Sequence, residues 1–387
     1  MSYTSVSDGT LIGIDQLVLG AATSCDLTNL DGTVAVSAGT PITPLLIKNL
    51  KSAGVIGLVA DKPDCFNHTL APRRPSLEII ASRISEMRMR SGITSPLAES
   101  TANQVLGTLA MCYKALSRGK NPHLDAVIET IDLIIHDLEL CDSCPVCGTD
   151  YKNLNLLDRL LYDAVNMGVM LGWYMRMADF PIDEIRAGIL GGLLHDVGML
   201  QVPSVLVNRA AVLTEQQLME IRRHPYLGVR ALSPFRELIP QTSMDIVLLH
   251  HERDDGNGYP LRRAGDKIPR AAAIAHIVDS FHALISHRPH RPGFTSHQAI
   301  DILMRDSGRS YNRDELKLLI KKIGRYPIGS AVILSSNEIG VVIDQADKSP
   351  YKPVIDVYFS SQHQFSQTPR RMNLSRESAT YIKQVVK

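Results

Sequence analysis

The sequence predicts a multidomain chain: an all-α central domain, a small mixed α/β domain before it and a small β unit after it. Three observations predict this. The chain has 387 residues, enough for two or three domains at roughly 150 residues each. Its middle carries long apolar stretches at helical spacing, with no strand–helix–strand alternation and no glycine-rich phosphate loop. Its two ends carry short β-branched runs broken by turn residues.

Residues 1–60 read as the small α/β domain. The runs Leu17–Leu19, Val34–Val36 and Val55–Ala60 are expected strands, separated by Gly- and Asp-rich turns. Between them Thr43 and Pro44 have the character of an N-cap and first helical position for LLIKNLKSA, with Gly54 as its stop. Residues 61–75 hold three prolines and little periodicity, and are read as a linker. Residues 76–150 form a helical connector, clearest where Leu124, Val127, Ile128, Ile131, Ile134, Ile135 and Leu138 recur at helical spacing. It ends in the cysteine-containing loop CDSCPVCGTD. Residues 151–325 are the all-helical domain. Helices are expected at about Leu154–Ala178 and Ile182–Leu194, after Thr214, before His250, and over Arg270–Leu284. Residues 326–387 form the β unit, in which AVILS, IGVVIDQ and VIDVYFS are three expected strands.

Composition narrows the function classes. Lys+Arg is 41 and Asp+Glu is 40, a net charge of +1, which leaves no electrostatic footprint for DNA. With 44% hydrophobic residues the chain is not intrinsically disordered. No apolar run approaches the ~18 residues of a membrane span, and the first residues lack the basic and apolar regions of a signal peptide. Six cysteines imply no disulfide framework. A cytoplasmic protein with neither DNA nor membrane as partner is expected. Histidine is the informative residue: nine of thirteen lie between His195 and His297.

Four short motifs hold the chemistry. They are His195-Asp196-Val197-Gly198 at the end of an apolar helix; His224-Pro225; His250-His251-Glu252 followed by DDGNGYP at 254–260; and Asp279 in IAHIVDSFHAL. Neutral imidazole and carboxylate suit Fe, Mn, Zn and related ions. Asp196 has two oxygens and can bridge two ions, which together activate water and stabilise the leaving oxygen of a phosphoester. Taken singly, a histidine on an apolar helix is more often a packed, hydrogen-bonded core residue, and the His-Asp pair also reads as a helix-end cap. It is the occurrence of all four in one helical segment that points to a site.

In this combination, HDVG, HP, HHERDDGNGYP and HIVDSFHAL, the segment from about Leu154 to Arg325 resembles an HD-GYP domain of the HD metal-dependent phosphohydrolase superfamily. The resemblance implies an all-helical domain with a dinuclear metal centre, iron or manganese or another divalent ion. It implies ligands at His195, Asp196, His224, His250, His251 and Asp279, with Asp196 bridging and a metal-bound hydroxide as nucleophile. The implied substrate is the bacterial second messenger cyclic di-GMP, opened to linear pGpG and in some members on to GMP. Tyr259 would shape the pocket edge. Ser286-His287-Arg288-Pro289-His290-Arg291-Pro292 resembles the family's S-x-RPY element, which implies that Arg288 and Arg291 clamp phosphates.

The sequence departs from the family pattern at several places. The family's upstream histidine ligand corresponds to Asp163, read here as a ligand or as an outer, solvated carboxylate. A glutamate that accompanies a third metal corresponds to Arg159, so two metals are expected. The lysine that commonly follows HDxG is Met199, which leaves Arg288 and Arg291 as the visible cations. His282 stands where the family often has aspartate and is not read as a ligand; neither are His276, His287, His290 and His297. Cys141, Cys144 and Cys147 have CxxC spacing, open to metal binding, thiol chemistry or a plain reduced loop. The expectation is a bacterial signalling phosphodiesterase, with a diguanylate cyclase or other signalling protein and a second copy of the chain as candidate partners. The alternatives are a degenerate domain that binds cyclic di-GMP or a protein without turnover, and an enzyme for another cyclic dinucleotide.

Overall fold

The computed structural model describes residues 10–14, 17, 22–29, 33–53, 55, 57–60, 97–140, 154–207, 214–287, 293–346, 349–362 and 365–386. The chain divides into two compact units, Met1–Pro75 and Ser76–Lys387.

In the first unit β1 (Thr10–Gly13), β2 (Leu27–Thr28), β3 (Val34–Val36) and β4 (Gly57–Ala60) form an antiparallel sheet of order β1-β4-β2-β3. Helix α1 (Pro44–Ser52) begins at Thr43, whose hydroxyl accepts the Leu46 N–H at 3.1 Å. Leu50 from this helix joins Leu27, Val36, Ile42 and Leu58 in a small core. Two expected strands are corrected. Leu17 does not lie in a strand; its N–H donates to Ile14 O at 3.3 Å and its side chain is buried, while Val18 and Leu19 lie outside the described residues. The later strand begins at Gly57, not Val55. Cys25 is disulfide-bonded, which the cysteine count did not predict. The expected stop Gly54, the linker 61–75 and the loop with Cys141, Cys144 and Cys147 lie outside the described residues.

The described part of the second unit begins with helices α2 (Glu99–Ser117) and α3 (Leu124–Glu139), residues 76–96 of the expected helical connector lying outside the described residues. The break between them contains Gly119 with φ of 63° and His123 with φ of 50°. Both are left-handed positions that interrupt what periodicity alone reads as one helical stretch. At the centre lie α4 (Leu156–Met177) and α5 (Ile182–Leu194). Asn155 caps α4 by accepting the Asp158 N–H at 2.9 Å. From Ala164 to Met175 that helix is buried on almost every side, apart from the partly exposed Asn166, which is why it reads as apolar all round. A short turn makes the two helices antiparallel, and glycines bring them close. A Cβ at Gly192 would lie 2.7 Å from Gly168 Cα, so the backbones meet there with no side chain between. The same register sets Gly172 against Ile189.

The helices that follow are α6 (Glu215–Ile221), α7 (His224–Leu232), α8 (Gln241–Leu249), α9 (Arg270–Ile285), α10 (Ser296–Arg305) and α11 (Arg313–Ile323); α8 packs on α5 and α9 on α4. Thr214 and Thr295 start α6 and α10 with reciprocal capping boxes. No helix among the described residues is long and apolar enough to cross a membrane.

Five antiparallel strands follow: β5 (Ala331–Leu334), β6 (Ile339–Ala346), β7 (Ser349–Phe359), β8 (Phe365–Asn373) and β9 (Ile382–Val385), in the order β8-β7-β6-β5-β9. Three strands were expected. The two extra ones, FSQTPRRMN and IKQV, are the sheet's edges. Edge strands carry proline and charge on their open side, which removes the apolar signature of a central strand.

Candidate metal centre

Helix α5 ends at His195 and α8 ends at His250, each the C-cap residue. A helix end leaves carbonyls without intrahelical partners. His195 Nδ1 donates to Gly192 O at 2.7 Å, and His250 Nδ1 donates to Ile246 O at 3.0 Å. His224, three residues after the end of α6, donates from Nδ1 to Ile221 O at 2.9 Å. A carbonyl only accepts, so the ring proton of each neutral imidazole sits on Nδ1 and Nε2 carries the lone pair.

Those lone pairs converge. His224 Nε2 and His250 Nε2 are 3.3 Å apart. Asp196 Oδ1 lies 3.2 Å from the first and 3.8 Å from the second, while Asp196 Oδ2 lies 3.6 Å from His195 Nε2. Ligand atoms of Asp196, His224, His250 and His251 all fall within 4.8 Å of one another. His251 Nδ1 in turn approaches Asp279 Oδ2 at 3.8 Å. Acceptors gathered this closely repel unless a cation lies between them. A proton is disfavoured, because burial pushes His224 below the usual imidazole range and His250 well below it. A divalent cation suits both the donor set and the geometry, with the carbonyl-held Nδ1 atoms fixing each ring behind it.

The approach of α7 to the HD segment depends on Gly198, in the 3₁₀ turn Val197–Gln201. A Cβ there would fall 1.9 Å from His224 O and 2.5 Å from Gly228 N. Only glycine permits this contact, which sets His224 against Asp196.

Tyr259 stacks on His251, with ring centroids 4.6 Å apart and planes at 28°. Its loop is anchored by Glu252, which is 1% exposed and accepts the Leu261 N–H at 2.6 Å and the Arg263 N–H at 2.9 Å. His276 supports the same region from behind. It donates from Nδ1 to His250 O at 3.1 Å, and its Nε2 meets Ser310 Oγ at 3.1 Å.

The six motif residues and Tyr259 therefore come together. Asp163 does not join the four-residue group; it faces His282, with Oδ1 3.4 Å from Nδ1. Met199 packs against the apolar core. Arg288 and Arg291 lie outside the described residues. Sequence reasoning missed Arg222, whose guanidinium carbon lies 5.5 Å from the Tyr259 ring centre. It also gave no role to Glu252, although the HHE run displayed it; an acidic residue followed by a glycine-rich turn was the available signal.

Residues 182–314 match the HD domain family. The chain is 32% identical over 205 residues to a cyclic di-GMP phosphodiesterase of Pseudomonas aeruginosa, covering 53% of this chain and 49% of the relative. It is 35% identical over 130 residues to a cyclic di-GMP phosphodiesterase response regulator of Xanthomonas campestris, covering 34% of each. It is 33% identical over 128 residues to a 3'3'-cGAMP-specific phosphodiesterase of Vibrio cholerae, covering 33% of this chain and 24% of the relative. The chain thus spans half or less of the length of these relatives. The matched segment, in which HDVG, HHE and GYP stand in order, is thus similar to the HD domain family and to these phosphodiesterases.

Proposed function

We propose that this protein is a metal-dependent phosphodiesterase that opens cyclic di-GMP to linear pGpG, and on to GMP. The observation that carries the reading is the convergence of lone pairs from Asp196, His224, His250 and His251 within 4.8 Å. His195, Asp196, His224, His250, His251 and Asp279 would hold two divalent cations, Fe or Mn. When bound they supply Lewis-acid activation of water and neutralise phosphoester charge. The protein's own part is positional. The Nδ1–carbonyl bonds hold the imidazoles in the ligating tautomer. Glu252 fixes the loop that sets Tyr259 at the pocket edge. Arg222 above Tyr259, together with Arg288 and Arg291, supplies positive charge for phosphate.

The test is turnover by full-chain protein purified without air exposure and loaded with Mn²⁺. Linear product is expected, and Asp196→Asn should abolish it; metal-replete protein that leaves cyclic di-GMP intact refutes the reading. A second reading is a binding module without turnover. The apolar packing of Met199 favours it, because a packed thioether offers no charge where a lysine commonly stands. It predicts cyclic di-GMP binding that depends on Arg288 and Arg291 with no product, and calorimetry with Arg288→Ala checks it. The relative specific for 3'3'-cGAMP makes that dinucleotide the competitor to include.

A further inference from the structure

Two departures from the family pattern, Asp163 and His282, look unrelated in the sequence, 119 positions apart. In the fold they touch. His282 is 4% exposed on α9, one helical turn beyond Asp279, and its Nδ1 lies 3.4 Å from Asp163 Oδ1 on α4. The other ring nitrogen is also engaged. Nε2 lies 3.2 Å from Asn166 Nδ2 and 3.3 Å from Ser286 Oγ. An amide nitrogen only donates, so Nε2 accepts, and the ring proton of the neutral imidazole sits on Nδ1, the nitrogen nearer the carboxylate.

The register of α4 against α5 carries this end of α4 toward the HD segment. The helices are antiparallel, with Gly172 opposite Ile189 and Gly168 opposite Gly192. Three residues further along α5 is His195, and the matching step back along α4 leads toward Asp163. A second observation agrees: the carboxylates of Asp163 and Asp196 both act on the buried phenol of Tyr113, whose own hydroxyl donates to Leu193 O at 2.9 Å.

We propose that Asp163 and His282 work as one unit, in which His282 is a positioning residue that holds the Asp163 carboxylate as an additional cation ligand beside His195 and Asp196. The pair places a carboxylate where the family pattern has histidine and an imidazole where it often has aspartate. Metal-binding carboxylates and imidazoles are oriented by such hydrogen-bonded partners, whose loss typically weakens metal binding roughly 10–100-fold. This inference rests on the metal-centre reading above.

The experiment is Mn²⁺ titration of the metal-stripped full chain, read as bound Mn²⁺ per chain and by electron paramagnetic resonance, with a thermal melt in chelator as the control for folding. His282→Ala is expected to weaken one Mn²⁺ equivalent at least about tenfold without altering the remainder. The exchange variant, Asp163→His with His282→Asp, is expected to recover that equivalent. Where His282→Ala does not fold, two isosteric variants decide. His282→Asn keeps a donor at the δ position and should bind as wild type; Asp163→Asn should lose the equivalent. Wild-type Mn²⁺ binding by His282→Ala, or equal binding by His282→Asn and Asp163→Asn, overturns the proposal. The readout is bound metal, not turnover. Normal Mn²⁺ behaviour without hydrolysis would refute the proposed activity and leave the pairing standing.

Discussion

Gly198→Ala tests whether a backbone contact sets the metal geometry. The added Cβ would meet His224 O at 1.9 Å and Gly228 N at 2.5 Å. Both are backbone atoms, so no rotamer change relieves the clash. The turn Val197–Gln201 and the start of α7 must separate by at least about 1 Å before the contact becomes tolerable, in an interior packed as densely as an organic crystal. His224 Nε2 and Asp196 Oδ1, now 3.2 Å apart, ride on those two elements. Metal–ligand distances tolerate only about ±0.2 Å, so the displacement is several times what coordination absorbs. The variant should lose about 1–3 kcal/mol of stability, the usual cost of overpacking. Its Mn²⁺ affinity should fall at least roughly tenfold. Calorimetric Mn²⁺ titration, run well below the melting point in chelator, separates the two effects. A Gly198→Ala protein with the wild-type isotherm and melt refutes the claim that this contact positions His224.

Three further outcomes are expected. Glu252→Gln keeps one acceptor but turns an amide N–H toward the Leu261 or Arg263 N–H; a loss of about 1–3 kcal/mol is expected, with impaired turnover from a misplaced Tyr259, and a wild-type urea midpoint would count against it. Arg222→Ala should raise KM roughly tenfold through loss of a charged phosphate contact, with kcat changed less; an unaltered KM would remove Arg222 from the substrate path. In metal-free protein, burial first of all holds His276 at about 4 and keeps His224 and His250 below their ordinary value, whereas unfolded imidazoles titrate near ~6.5. The unfolded chain therefore takes up protons first as pH falls, so stability is full above pH ~6.5 and is lost from there toward pH ~4. A urea midpoint that stays constant from pH 7 to about 5 would contradict this.

How much of this was legible in the sequence depends on the distance over which each signal acts. The helix Ile182–Leu194 was readable residue by residue, because its apolar periodicity and the following His195 are local. The motif residues that come together at the site were readable because each lies in a short pattern. The edge strands β8 and β9 were not, since exposure to solvent replaces the alternation that marks a strand. The Asp163–His282 contact was not readable either. It joins α4 to α9, and only the antiparallel glycine-lined register of α4 and α5 sets that end of α4 near the HD motif. Arg222 escaped for a different reason: an arginine beside another arginine and a glutamate reads as solvated surface, and its partner ring, Tyr259, lies in a distant loop.

One ambiguity of the sequence dissolves in the fold. A histidine at a helix end reads either as a cap or as a ligand, as though the two excluded each other. At His195 and His250 they are the same arrangement. The Nδ1 proton bonds a carbonyl of the last helical turn, Gly192 O for His195 and Ile246 O for His250, and that bond leaves the lone pair on Nε2, on the side of Asp196. The cap thus selects the tautomer a cation requires. Helices α5 and α8 also bring their negative dipole ends to the cluster, which favours a cation there. Placing histidines at helix C-termini therefore supplies orientation, tautomer and field together.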